Sequence, residues 1–101
     1  MTPHAFSATL SHEVPPRALS APLAALWWAN KGEWDKAHRL VMEASGPEAA
    51  WVHAYLHRVE GDLGNAGYWY SRAGRPSASI SLDAEWDQIV STLLTKLKSA
   101  S

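Results

Sequence analysis

The chain has no cysteine, one phenylalanine and no long apolar run among its 101 residues. Without cysteine it forms neither a disulfide nor a thiolate metal site, and it has no cysteine nucleophile. Nine Lys and Arg residues stand against ten Asp and Glu residues, for a net charge of −1. This balance argues against a nucleic-acid partner, because nucleic-acid binders usually carry a basic surplus. The longest apolar stretch, residues 21–29, is too short for a membrane span of about 20 residues.

Residues 1–18 differ from the rest of the chain and are rich in Ser, Thr, Pro and Ala. They contain no basic leader followed by an apolar run of signal-peptide length, so we expect a cytoplasmic protein. Pro15 and Pro16 exclude a helix through that point. We therefore predict an N-terminal extension at 1–18 and a single domain at 19–101. Both a loose tail and an anchored arm remain open for the extension. The anchors of an arm would be its apolar side chains, Phe6, Leu10 and Val14.

Five helices separated by short turns are predicted from Ser20 onward. Ser20 is a good N-cap, Gly32 and Gly61 are helix stops, and Asp62 caps the helix that follows. Apolar side chains recur at helical spacing, and no segment shows the period-two alternation of a strand. The predicted fold class is therefore all-α, with helices at about 20–31, 33–44, 47–60, 62–74 and 82–97.

The central part of the chain repeats itself at a shift of 29 residues, which places Gly32 on Gly61. In the same register alanine falls on alanine three times and proline on proline once: Ala25 on Ala54, Ala37 on Ala66, Ala44 on Ala73, and Pro47 on Pro76. Small side chains let antiparallel helices cross closely. The pattern therefore predicts one helical hairpin used twice.

This pattern resembles the tetratricopeptide repeat over residues 19–76. In the second copy the first helix has the small residue Ala54, and the turn has Gly61. The second helix then has an alanine, an aromatic residue and another alanine, namely Ala66, Tyr70 and Ala73. The period of 29 departs from the usual 34. The resemblance implies two hairpins in a right-handed α-solenoid with a C-terminal capping helix. We expect this helix to lay four side chains on the second hairpin: Trp86, Ile89, Leu93 and Leu97.

A second resemblance covers residues 49–76. This segment reads AAWVHAYLHRVEGDLGNAGYWYSRAGRP and is similar to a bacterial protein family of uncharacterised function. The likeness implies a bacterial protein and carries no activity with it.

Trp51, Tyr55 and Arg58 form a stripe at helical spacing on the third predicted helix. In a tetratricopeptide-like hairpin this stripe would face the concave groove, and Tyr68 and Arg72 are also four residues apart on the next helix. Aromatic residues interleaved with arginine are typical of binding faces. The first functional hypothesis is therefore a non-enzymatic module for a protein or peptide partner, with a homodimer as a further possibility. Internal packing of Trp51 and Tyr55 is the alternative.

His53 and His57 lie four residues apart and so share a helix face, and Glu60 follows three residues later. This spacing offers three ligands for a metal ion. Ala54 stands where a zinc protease has its glutamate, so that chemistry is absent. The second hypothesis is a small-molecule or metal-binding domain centred on these three residues and Tyr68. Hydrogen-bonded neutral histidines inside the helix pair are the structural alternative.

The sequence contains no motif for nucleophilic catalysis. No serine lies in a G-x-S-x-G elbow, and the serines cluster in caps, turns and tails. Neither the dinucleotide-binding nor the P-loop glycine spacing is present. We therefore expect a protein that is not an enzyme and that carries no cofactor.

Overall fold

Both predicted hairpins turn at a glycine in the left-handed region of backbone conformation. Gly32 and Gly61 have φ of +81° and +84°, which glycine adopts without steric cost. The amide of Glu33 donates to the carbonyl of Trp28 at 3.0 Å. In the second turn the amide of Asp62 donates to the carbonyl of His57 at 2.9 Å. This is the hydrogen bond of a Schellman C-cap. The same local structure therefore recurs at the 29-residue shift.

The computed structural model describes residues 1–100, with side chains for residues 1–96. Within this part the chain forms only helices, which confirms the all-α prediction. They are α1 (Pro3–Ala8), α2 (Ala21–Asn30), α3 (Trp34–Met42), α4 (Pro47–Val59), α5 (Leu63–Ala73) and α6 (Leu82–Ala100), with a 3₁₀ turn at Thr9–Ser11. None of these helices combines the length and the apolar composition that crossing a membrane requires.

Helix α4 lies at the centre of the protein. It packs on α3 and α5, and it also contacts α2 and α6. Nine consecutive residues of α4, 49–57, are buried. A helix that is buried on most of its circumference packs inside the domain, so α4 organises the core.

The two hairpins are α2 with α3 and α4 with α5, and each pair is in extensive contact. The four alanines that the repeat aligns near the helix crossings are buried: Ala25, Ala37, Ala54 and Ala66. Small side chains at these positions allow the close approach that the repeat predicts. The right-handed solenoid arrangement stays a prediction from the resemblance.

Helix α1 was not predicted from the sequence. The Oγ1 atom of Thr2 accepts a hydrogen bond from the amide of Ala5 at 3.0 Å, and Pro3 occupies the first helical position. An N-cap threonine followed by proline is a helix start signal. The signal was present, but the helix has only six residues and no repeating apolar face that would reveal it.

Residues 1–11 pack on the domain as an arm. Phe6 is fully buried, and its ring centroid lies 5.9 Å from that of Trp86 on α6. Leu10 packs against the core, and the ammonium of Lys31 donates to its carbonyl at 2.7 Å. Val14 is 64% exposed, so the expectation that it anchors the arm is wrong.

Helix α6 bridges the two hairpins. Trp86, Ile89 and Leu93 are buried as expected, and the side chain of Leu97 lies outside the described residues. The helix contacts α4 of the second hairpin, but it also contacts α2 and α1. The indole nitrogen of Trp86 donates to the carbonyl of Leu26 on α2 at 2.8 Å. The last helix therefore closes the core across both hairpins and not over the second hairpin alone.

Candidate metal centre

Three imidazoles meet between α3 and α4. His53 and His57 come from successive turns of α4, and His38 comes from α3. Their ligand nitrogens, one from each ring, all lie within 4.8 Å of one another. The Nε2 atoms of His38 and His53 are 3.0 Å apart. Two nitrogens bound to one metal ion at about 2.1 Å lie about 3 Å apart when they subtend a right angle. This pair therefore already has the spacing of two ligands of one ion.

The antiparallel packing of α3 and α4 explains why His38 lies close to the histidines of α4. The chain turns at Gly46, whose φ is +101°, and α4 begins at Pro47. His38 precedes that glycine by eight residues and His53 follows it by seven. Positions equally far from the turn between two antiparallel helices lie at the same height along them. Sequence reasoning missed His38 as a ligand, although this equal distance from the turn was a usable signal.

Two tryptophans hold the imidazoles in place. The ring of Trp34 stacks on His38 with centroids 4.5 Å apart, and Trp69 stacks on His53 with centroids 3.9 Å apart. The indole of Trp34 is itself fixed, because its nitrogen donates to the carbonyl of Leu56 at 2.7 Å. Stacked neighbours restrict the rotation of the imidazole rings, so the ligand positions are organised before any ion binds.

Glu60 hydrogen-bonds to the outer nitrogen of His57. Its Oε1 atom lies 2.6 Å from Nδ1 of that ring and accepts the hydrogen bond, so Nε2 is the nitrogen that remains for a metal ion. A carboxylate on the far nitrogen of a metal-binding histidine is the usual arrangement in metalloproteins. The predicted ligands His53, His57 and Glu60 do not form one cluster in the structure, which groups His38 with His53 and His57. His57, Glu60 and Asp62 also form a second, more exposed group of possible ligands.

The electrostatics of the cluster keep two of its rings neutral. Burial, followed by charge repulsion from His38 and His57, lowers the pKa of His53 to about 4. Burial, followed by repulsion from His57, also lowers the pKa of His38. A metal ion binds the neutral form of imidazole. At neutral pH, therefore, both rings are neutral, and the ring whose Nε2 donates in the hydrogen bond between them has to move its proton to Nδ1 before both Nε2 atoms can bind an ion.

A cavity of about 710 Å³ opens beside the histidines, and all three rings line it. Its other walls are mainly apolar, and its polar lining beyond the histidines includes Asn65 and Arg72. A metal ion held by three protein ligands keeps at least one coordination position for water or another molecule. A molecule bound at that coordination position would lie in the cavity.

The stripe of Trp51, Tyr55 and Arg58 does not form one open groove, although Trp51 touches two shallow pockets and Tyr55 a third. Trp51 is 4% exposed and Tyr55 is 6% exposed, so internal packing describes both residues. The guanidinium of Arg58 pairs with the buried carboxylate of Glu85 at 2.9 Å. The guanidinium of Arg75 covers Trp51 at 3.4 Å from its ring centroid. The stripe is therefore part of the core and of a buried ion pair.

Tyr68 and Arg72 lie close together on α5, as their spacing predicts. Nη1 of Arg72 is 3.4 Å from the hydroxyl of Tyr68, and the guanidinium lies 5.7 Å from the ring of Trp69. Tyr68 is 55% exposed and does not line the cavity. Arg72 does line it, so only one member of this pair belongs to the candidate site.

Comparison of the chain with protein-family models, curated proteins and solved structures finds no match. The resemblance to tetratricopeptide repeats therefore remains a prediction. The interpretation of the site depends on its own geometry, namely three converging imidazoles, a carboxylate behind one of them and a cavity in front.

Proposed function

We propose that the protein binds a divalent transition-metal ion through His38, His53 and His57. One observation carries this proposal, which is the convergence of three ring nitrogens within 4.8 Å. Imidazole nitrogen suits zinc, copper, nickel and iron, whereas magnesium and calcium prefer oxygen. The cluster therefore favours an ion of the first group.

The surroundings of the cluster support metal binding over a purely structural role. A hydrogen bond between His38 and His53 alone would satisfy those two rings. It would not explain why the ring of His57 also lies in the cluster, with its Nδ1 atom hydrogen-bonded to Glu60. That contact occupies Nδ1 of His57, and Nε2 is the nitrogen that an ion would use.

The peptide-binding hypothesis has less support from the structure. Its surface was the stripe of Trp51, Tyr55 and Arg58, and the two aromatic residues are buried. Interface hot spots need side chains that a partner can reach. We therefore place the metal centre ahead of the interaction module.

Metal analysis tests the proposal directly. Tag-free protein purified without chelator is expected to carry close to one transition-metal ion per chain. Metal-free protein is expected to take up one Co²⁺, with the visible absorption of a nitrogen-ligated ion. Replacing His38 or His53 by alanine should weaken Co²⁺ binding at least a hundredfold, because each replacement removes one of three ligands.

His4 and His12 provide matched controls, because both are exposed and neither belongs to the cluster. His4→Ala and His12→Ala should leave Co²⁺ affinity unchanged. Helical circular dichroism of each variant shows whether it is folded. Binding that survives in folded His38→Ala and His53→Ala protein would overturn the proposal.

A further inference from the structure

The cavity beside the histidines has a positively charged lining. Arg72 lines it, and none of the side chains around it belongs to Asp or Glu. The salt bridges of the described residues join His57 to Glu60, Arg58 to Glu85 and Lys96 to Glu48. Among these residues Arg72 therefore has no carboxylate partner. A guanidinium is well suited to bind a carboxylate, with two parallel hydrogen bonds.

Most of the remaining cavity wall is apolar, with Ser45 and Asn65 as polar exceptions beside the histidines. Aliphatic and aromatic side chains from α3, α4 and α5 form this part of the lining: Val41, Met42, Ala49, Ala50 and Trp69. A volume of about 710 Å³ falls within the range of small-molecule sites. Such a wall favours a ligand with a hydrophobic body and disfavours one that is polar throughout.

A metal ion on the three histidines would add a second positive charge to the same cavity. With three protein ligands it would accept a further oxygen ligand, and carboxylate oxygens bind such ions well. Two positive centres and an apolar wall thus face one space. This combination matches a molecule that has a carboxylate at one end and a hydrocarbon body at the other.

We infer that the cavity binds an organic monocarboxylate with an apolar body. The metal ion and Arg72 attract the carboxylate, and the apolar wall takes the hydrocarbon. The inference rests on the proposed metal site, which supplies one of the two positive charges. It goes beyond that site by naming the class of molecule that the open coordination position accepts.

Titration of Co²⁺-loaded protein with hexanoate tests the inference. Hexanoate should shift the visible Co²⁺ spectrum and release or absorb heat in calorimetry. Along the series from acetate to hexanoate, each added methylene should tighten binding about threefold, because it buries more apolar surface. Hexanamide has nearly the same shape without the charge and should bind at least tenfold more weakly.

Substitution of the arginine isolates its contribution. Arg72→Gln should weaken hexanoate binding to Co²⁺-loaded protein at least tenfold, because the guanidinium binds the carboxylate. Arg39→Gln is the matched control. Arg39 is an exposed arginine on α3 that does not line the cavity, so this variant should bind hexanoate like the wild type.

Four results would overturn the inference. Hexanamide or inorganic phosphate could bind as tightly as hexanoate, which gives two of them. The third is an Arg72→Gln variant that binds hexanoate like the wild type. The fourth is Co²⁺-loaded protein in which hexanoate changes neither the visible spectrum nor the heat. In each case Co²⁺ bound at the histidines leaves the proposed function standing. A protein that takes up no Co²⁺ would remove both proposals together.

Discussion

The carboxylate of Glu60 lies 2.6 Å from Nδ1 of His57, at the C-terminal end of α4. The two residues are three apart, so one turn of helix brings them together. Their contact fixes which nitrogen of the ring is protonated. In the proposed metal centre Glu60 would thus be a positioning residue, because it would act on the metal ion through the imidazole that it holds.

Loss of Glu60 should weaken metal binding without abolishing it. Glu60→Ala is expected to lower Co²⁺ affinity tenfold to a hundredfold, the usual cost of losing a hydrogen-bond partner behind a ligand. The affinity can be measured by competition with a chelator of known strength. Glu43→Ala removes another exposed carboxylate, outside both groups of possible ligands, and should have no effect. Equal affinities in the two variants would show that Glu60 does not orient His57.

The N-terminal arm should contribute to stability through one ring. Phe6→Ala is expected to lower the free energy of unfolding by about 3–5 kcal/mol, because it leaves a cavity beside Trp86. Val14→Ala changes a residue that is 64% exposed and should cost less than about 0.5 kcal/mol. Urea unfolding followed by tryptophan fluorescence measures both. A cost below about 1 kcal/mol for Phe6→Ala would mean that the arm does not stay docked in solution.

The buried carboxylate of Glu85 depends on two donors. Tyr70 donates to its Oε2 at 2.5 Å, and Arg58 donates to its Oε1 at 2.9 Å. Tyr70→Phe should destabilise the protein by about 1.5–3 kcal/mol, because it removes a hydrogen bond to a buried charge. Tyr68→Phe removes the hydroxyl of an exposed tyrosine and should change stability by less than about 0.5 kcal/mol. Similar unfolding midpoints in urea for the two variants would contradict this role for Tyr70.

Tyr55 should make the protein sensitive to alkali. Burial, followed by the nearby carboxylates of Glu85 and Asp83, raises the pKa of Tyr55 to about 12. In the unfolded chain tyrosine ionises near pH 10. Between pH 10 and about 12 the unfolded state therefore binds fewer protons than the folded state, and the free energy of unfolding falls as the pH rises.

The substitution Tyr55→Phe removes this proton from both states. Relative to the wild type, the variant should gain stability steadily above pH 10, by up to about 1 kcal/mol per pH unit. Below pH 10 the difference between the two proteins should stay constant. Thermal unfolding at a series of pH values provides the comparison. A constant difference across the whole alkaline range would show that Tyr55 ionises alike in both states.

Two of the three clustered histidines, together with Glu60, could be predicted from the sequence. His53 and His57 share a face of one helix, and Glu60 lies one turn further on, so their proximity follows from helical geometry alone. His38 is on another helix, and its contribution depends on how α3 packs against α4. The sequence therefore predicted that His53, His57 and Glu60 lie close together, but it did not reveal the imidazole of His38.

The stripe of Trp51 and Tyr55 illustrates the opposite error. Helical periodicity places these residues on one face, and a repeat likeness suggested that the face was open. In the structure α6 packs on α4, and both side chains are buried. Periodicity tells which residues share a face, but it does not tell which helix covers that face.

The sequence by itself determined where most helices begin and end, because caps and turns depend on residues within one turn of each other. Ser20, Gly32 and Gly61 act in the structure as the sequence predicts. Tertiary packing alone decided which faces became core, where the arm docks, and that His38 joins the two histidines of α4. These features arise from contacts between helices that are distant in the chain. Their burial depends on the whole set of neighbours and not on any local pattern.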